Sequence, residues 1–153
     1  MKVNSILFVC LGNICRSPLA EGIARRLSDE NSWNLKIDSC GTSSYHRGEA
    51  PDSRSVAIAK ENGIDISSQK SRPVNLYEDC NFDLIIAMDS QNKNDLLRLG
   101  FDSKKVFKLG DFGLGEDVPD PYYYSDNEGF AKVFNLIESL LKKMFDKYGF
   151  KFT

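Results

Sequence analysis

The chain has 153 residues, 41% hydrophobic and 27% charged, an ordinary globular composition with enough length for one core in a single domain over residues 1–153. Twenty Lys and Arg against 22 Asp and Glu leave a net charge of −2 with no basic block; this excludes a general nucleic-acid binder and makes any anion site a local feature. No apolar run reaches bilayer length and residues 1–20 lack a secretion-signal pattern, so a cytoplasmic location without a membrane partner is expected.

The apolar run Ile6-Leu7-Phe8-Val9 predicts a first strand over Ser5–Val9. Cys10-Leu11-Gly12-Asn13-Ile14-Cys15-Arg16-Ser17 then forms a tight loop, in which Gly12 lets the backbone turn back and Ser17-Pro18 supplies a helix N-cap and a favoured first helical residue. The helix runs over Pro18–Ser28 with Leu19, Ile23, Ala24 and Leu27 on one face. A second strand over Asn34–Asp38 is followed by a polar loop through Tyr45, His46 and Arg47, then by a helix from Pro51 to Asn62 that Gly63 stops. Phe82–Met88 is apolar on both sides of the alternation and reads as a central strand. Helix Asn92–Leu99, ended by Gly100, precedes a fourth strand over Val106–Leu109. Gly110–Gly115 and the acidic loop to Tyr124 make the longest irregular segment, where functional residues often lie. Ser125-x-x-Glu128 is a capping box for the last helix, whose Phe130, Val133, Phe134, Ile137, Leu140, Leu141, Met144 and Phe145 recur as a core stripe.

Strands alternating with helices predict an α/β fold, a doubly wound four-stranded parallel sheet with helices on both faces. Ligands of such sheets bind beyond the carboxyl ends of the strands. Cys10, the stretch Ser39 to Arg47, Met88-Asp89 and Asp120 all follow strands and converge there.

A loop between a strand end and a helix start turns backbone N–H groups inward, making a nest suited to phosphate. Arg16 adds a planar fork that can hold two phosphoryl oxygens. The same dipoles and cation stabilise a thiolate at Cys10, the form of cysteine that attacks. The four cysteines, at 10, 15, 40 and 80, lack metal-ligand spacing, and a disulfide framework is not expected in a cytosolic chain of this size.

These residues resemble the low-molecular-weight protein tyrosine phosphatase family, whose nucleophile loop is C-x5-R-[ST]. The resemblance rests on the C-x-G-N-x-C-R-S-P form at residues 10–18 and on Asp120-Pro121-Tyr122-Tyr123. Asp38-Ser39, Gly41-Thr42-Ser43, Pro51-Asp52, Asn62-Gly63-Ile64, Lys70-Ser71-Arg72 and Ala87-Met88-Asp89 extend it along essentially the whole chain. It implies a protein tyrosine phosphatase acting through a cysteinyl-phosphate, with Cys10 as nucleophile and phosphate held by Arg16 and the backbone of Leu11, Gly12, Asn13, Ile14, Cys15, Arg16 and Ser17. Asp120, a plain turn residue if taken alone, becomes the general acid and then the base. No metal and no cofactor are implied. Ser17 would hydrogen-bond the Cys10 sulfur, and Asn13 with Ser39 would hold the loop in its strained shape. Gln69 stands where many relatives have His, altering the buried polar support.

The expected partners are phosphotyrosine-containing proteins, with phosphate and other oxyanions as ligands or inhibitors, and the protein is expected to be a monomer, a weak dimer being open. A deep slot would select the flat, long phosphotyrosine, and Leu11, Tyr45, His46, Tyr122 and Tyr123 are its candidate walls. His46 reads as a rim residue and Asp89 as a helix cap rather than a second acid near Arg16. A thiol-relay arsenate reductase would need a partner for Cys80 that the sequence lacks. An arginine phosphatase resembles the loop too, but those relatives carry Thr at the position of Ile14. Cys15 is expected to trap a peroxide-oxidised Cys10 as a reversible disulfide.

Overall fold

A computed structural model describes residues 2–123 and 127–153. Its first strand, β1 (Ser5–Cys10), is buried on both faces from Ile6 to Cys10, as an interior strand of a parallel sheet must be. β2 (Lys36–Gly41) pairs on one side and β3 (Leu84–Ala87) on the other, with β4 (Val106–Lys108) beyond β3. The order is β2-β1-β3-β4 and every pairing is parallel. The helices are α1 (Arg16–Asn31), α2 (Ser53–Glu61), the single turn α3 (Leu76–Asp79), α4 (Ser90–Leu99) and α5 (Glu128–Lys147).

Successive strand residues point to opposite faces, so the sheet separates two cores. Ile6, Phe8, Leu84 and Ile86 pack with Leu19, Ala20, Ile23 and Ala24 of α1 and with the apolar stripe of α5. Leu7, Val9, Ile85 and Ala87 face the other way, against Leu96 of α4 and Phe82, Phe101 and Val106, with Leu76 of α3 packed on the same cluster. Each large apolar side chain so buried contributes roughly 1.5–3 kcal/mol. The buried residues of α5 are Phe130, Val133, Phe134, Ile137, Leu140, Leu141, Met144 and Phe145, the stripe read from periodicity.

Several boundaries differ from the sequence reading. β2 lies later than Asn34–Asp38, because Phe8, Val9 and Cys10 pair with Ser39, Cys40 and Gly41; residues of weak strand propensity are drawn into the sheet by their neighbour. Ser39 is therefore a strand residue and not part of the following loop. α1 begins two residues early, with Cys15 as its N-cap and Ser17 inside the first turn, since the Ser17 hydroxyl is engaged elsewhere. β3 is shorter than Phe82–Met88, Leu109 leaves β4 for a 3-10 turn (Leu109–Phe112), and α3 has no periodic signal at four residues. The Ser125 half of the expected capping box lies outside the described residues; α5 starts after Asn127, which makes no side-chain cap. Among the described residues no helix is long and apolar enough to cross a membrane.

Candidate active site

Cys10 ends β1, and six positions later α1 starts at Arg16. The residue that turns the loop is Asn13, at φ 56°, and not Gly12, whose φ is not positive. A short amide side chain tolerates this left-handed geometry better than most. Gly12 is required for space: a Cβ there would sit 2.9 Å from the His46 ring.

Asn13 is held by a chain of hydrogen bonds whose direction can be read. The Glu21 carboxylate, paired with Arg25 at 2.9 Å, accepts the Ser39 hydroxyl proton at 2.6 Å. The Ser39 oxygen then accepts from Asn13 Nδ2 at 3.0 Å, while the Arg72 backbone N–H donates to Asn13 Oδ1 at 3.1 Å, so the amide has one orientation. Asn13 Nδ2 also donates to Ser17 Oγ at 2.8 Å, which leaves the Ser17 proton for the Cys10 sulfur at 3.0 Å or the Cys40 carbonyl at 3.5 Å, the nearer sulfur taking it when Cys10 is a thiolate. The Asn13 backbone N–H reaches the same sulfur at 3.3 Å. Two donors thus face Cys10 Sγ.

Arg16 is 2% exposed. Burial opposes its charge, but Cys10, Asp89 and Asp120 outweigh that penalty and hold its pKa above the usual value. One guanidinium nitrogen donates to Asp89 at 2.6 Å and to the Val118 carbonyl at 3.0 Å; the other stands 3.6 Å from Asp120. Asp89 does both jobs weighed in the sequence: Oδ1 caps α4 through Asn92 N at 2.7 Å and Oδ2 takes Arg16. Asp120 Oδ1 accepts the Tyr122 N–H at 3.1 Å.

These groups border a pocket of about 400 Å³ lined by Leu11, Gly12, Ile14, Arg16, Asp120 and the aromatic side of Tyr45, His46 and Tyr122, with Cys10, Cys15 and Ser43 completing it. Asn13, Ser17 and Ser39 do not line it; they lie buried behind the sulfur. The side chain of Tyr123 lies outside the described residues. The His46 ring meets Tyr45 at 4.8 Å and Tyr122 at 5.8 Å, and its Nδ1 is 3.1 Å from Glu49. Burial first, then the charges of Asp52, Cys10 and Asp120, push the Cys15 thiol pKa well up. Among the described residues no three His, Cys, Asp or Glu side chains gather as a metal site.

The family model described as low molecular weight phosphotyrosine protein phosphatase matches residues 5–151. The chain belongs to the low molecular weight phosphotyrosine protein phosphatase family. It is 40% identical over 147 residues to the low molecular weight protein-tyrosine-phosphatase PtpA of Staphylococcus saprophyticus, covering 90% of this chain and 94% of that one. A protein tyrosine phosphatase structure from Entamoeba histolytica superposes with TM-score 0.85 at 38% identity, covering 94% and 95% of the two chains. A Drosophila arginine phosphatase structure reaches 0.87 at 27% identity, covering 94% and 97%.

For a member of the low molecular weight phosphotyrosine protein phosphatase family, five further residues around the site were not found from sequence. Glu21 and Arg72 orient the buried chain, Ser43 lines the pocket, Val118 takes Arg16 through its carbonyl, and Arg54 reaches the Tyr122 carbonyl at 3.0 Å. Ser43 and Arg72 stood in segments that carried the resemblance but were given no role, and Glu21 carried a signal as a carboxylate one turn beyond Ser17 on an otherwise core-facing helix. Gln69 donates to the Pro18 carbonyl at 3.1 Å, and the charge partner of Glu21 is Arg25.

Proposed function

We propose that the protein hydrolyses phosphotyrosine through a cysteinyl-phosphate intermediate. One observation carries this reading: the Cys10 sulfur, faced by two donors, shares a pocket with a buried Arg16 and with Asp120. The phosphoryl group binds Arg16 and the backbone of residues 11–17, and the Cys10 thiolate attacks phosphorus in line with the ester oxygen. Asp120 protonates that oxygen as the P–O bond breaks. The resulting carboxylate takes a proton from water, whose oxygen attacks the cysteinyl-phosphate; the S–P bond breaks, and the Ser17 hydroxyl stabilises the departing thiolate. Each of these steps is served by the side chains and loop backbone of the protein, with water as the second nucleophile.

Leu11, Ile14, Tyr45, His46 and Tyr122 support an aryl substrate, since a flat ring slots between them while a shorter phosphoserine leaves its phosphate above the loop. The relatives named as tyrosine phosphatases, and Ile14 as an apolar lining residue, support tyrosine over the phosphoarginine suggested by the Drosophila neighbour. Four cysteines without metal spacing support a reducing, cytoplasmic setting, in which the whole chain acts as one domain and a monomer on phosphorylated proteins, not on nucleic acid or membrane. Phosphate and other oxyanions would compete for the same loop, and Cys15 would serve as the redox partner of Cys10.

The test is phosphate release from phosphotyrosine, phosphoserine and phosphoarginine peptides, with and without chelator. The phosphotyrosine peptide is expected to win by at least about 100-fold in kcat/KM, unaffected by chelator. Faster release from phosphoarginine would overturn the assignment of substrate.

A further inference from the structure

The nucleophile and the acid arrive on separate segments, Cys10 at the end of β1 and Asp120 beyond the 3-10 turn after β4. Something has to set their separation. The contact from Arg16 to Asp120 is 3.6 Å, longer than a hydrogen bond, and in the proposed reaction Arg16 has phosphate to hold. Another connection runs outside the pocket, through the first turn of α2.

That turn is fastened to the nucleophile loop, with the Asp52 N–H donating to the Ile14 carbonyl at 2.8 Å and the Ser55 hydroxyl to the Cys15 carbonyl at 3.4 Å. Asp52 grips Arg54 through Nε at 3.0 Å and Nη2 at 2.9 Å. The guanidinium lies 4.5 Å over the Phe130 ring of α5, and Nη2 donates to the Tyr122 carbonyl at 3.0 Å. Tyr122 in turn donates its N–H to the Asp120 carboxylate. We propose that Arg54 is a positioning residue for the general acid, bracing the Asp120-Pro121-Tyr122 segment at a fixed distance from the nucleophile loop. This rests on the assignment of Asp120 as the acid.

The geometry explains why the residue is arginine. A planar fork holds both Asp52 oxygens, keeps one proton for Tyr122 and lies over the Phe130 ring, which a lysine ammonium cannot do together. A proton donor works only within hydrogen-bond reach of the leaving oxygen, and displacement by about 1 Å can cost up to 100-fold in rate.

Arg54→Met keeps an aliphatic stem over Phe130 and removes the donors. The measurement is kcat/KM for aryl phosphates whose leaving phenols differ in acidity, in the wild type, Arg54→Met, Arg54→Lys, Asp120→Ala and the Arg54→Met/Asp120→Ala double variant. Inorganic phosphate inhibition and thermal melting accompany each. For Arg54→Met the expected loss is about tenfold on phenyl phosphate and under about twofold on p-nitrophenyl phosphate, because the second leaving group departs with little proton assistance. Arg54→Lys should fall on the same side, and phosphate inhibition should stay within about twofold in both. In the Asp120→Ala background Arg54→Met should change nothing further, since a residue acting through the acid has no effect once the acid is gone. Equal losses on both substrates, additive losses in the double variant, or phosphate affinity falling in step with rate would each overturn the proposal. Should Asp120→Ala itself show no dependence on leaving group, the acid assignment falls, and with it this one. A selective defect in Asp120→Ala with none in Arg54→Met overturns the role of Arg54 alone.

Discussion

The polarity of the chain behind Cys10 is settled by two groups that cannot reverse it. Glu21 only accepts and the Arg72 backbone N–H only donates, so Ser39 and Asn13 are left one arrangement, and Ser17, which accepts from Asn13, turns its proton to the Cys10 thiolate in preference to the more distant Cys40 carbonyl. Cys10→Ser leaves that scaffold and Arg16 in place while replacing the sulfur with a poor nucleophile. Turnover is expected to drop by at least about 10⁴-fold, with inorganic phosphate binding retained within about threefold by calorimetry. That Cys10, Arg16 and Asp120 share one pocket was legible in the sequence, the first two from a local loop motif and Asp120 only through the family resemblance of Asp120-Pro121-Tyr122-Tyr123. Glu21 and Arg72 were not, because their meaning lies in contacts between segments that no spacing encodes. Gly12 and Asn13 exchanged parts: a glycine suggested the turn, but the amide carries it and the glycine makes room for His46.

Cys15 gives a second test at this scale. In the redox role proposed for Cys15, peroxide would convert the Cys10 thiolate to a sulfenic acid with loss of hydroxide, and the Cys15 thiolate would attack that sulfur, form the S–S bond and release a second hydroxide. Burial and nearby negative charge keep Cys15 protonated at neutral pH, so its thiolate fraction, and the rate of trapping, should rise close to tenfold per pH unit. Mass spectrometry after peroxide at pH 6, 7 and 8 is expected to show disulfide gaining on sulfinic acid. A ratio independent of pH would remove Cys15 from the reaction.

Among the elements, the buried stripe of α5 was read correctly to the residue because twenty helical positions repeat one apolar spacing, whereas β2 was displaced because Ser39-Cys40-Gly41 has no strand signature of its own. Pairing with the most buried strand decided it, a contact outside any local window. α2 offers a prediction with a definite sign. The Arg54 hydrogen bond, opposed by partial burial, holds the Asp52 carboxyl below its ordinary value of 3.8. A depressed carboxylate stabilises the fold above its unfolded pKa and loses that contribution as pH falls through the folded value. Asp52→Asn keeps an N-cap acceptor at Oδ1 and loses the charge together with the Oδ2 acceptor of Arg54 Nη2. It should lower stability near pH 7 by about 0.5–1 kcal/mol in urea titrations, and the gap to the wild type should close as the pH is taken down through the carboxylate range. A gap that stays constant down to acid pH would mean that the ion pair contributes nothing.

Over the whole molecule, the strand order turns from one side of β1 to the other between β2 and β3, and the crevice at such a switch lies at the carboxyl ends of β1 and β3. Cys10 and Asp89 sit at those two ends, so the alternation of strands and helices already located the site. What it did not show is a strap beneath it. Residues 71–74 run beside the end of β2: Gly41 N–H donates to the Arg72 carbonyl, Val74 N–H donates to Gly41, and Ser71 Oγ holds the Gly12 carbonyl at 2.9 Å. The same Arg72 whose N–H orients Asn13 extends its guanidinium to Asp79 of α3 at 2.9 and 3.0 Å and to Asp38 at 3.0 Å. Asp79 is 2% exposed and also accepts Asn75 N–H at 2.8 Å. A one-turn helix in the second core is therefore tied to the loop of residues 10–17 proposed to bind phosphate. Asp79→Asn preserves shape but turns an amide donor or a weaker acceptor toward the guanidinium, leaving Asp38 as the remaining carboxylate seen on Arg72. Breaking a pair this buried on one side should cost about 2–4 kcal/mol, lowering the melting temperature by roughly 5–15 °C. Because Arg72 also orients Asn13, affinity for inorganic phosphate should fall by about threefold, or ~0.6 kcal/mol. Calorimetric melting and phosphate titration read the two effects separately: a lower melting temperature with unchanged phosphate affinity would confine Asp79 to holding the second core, and a drop in both would show that the strap carries the constraint across the sheet.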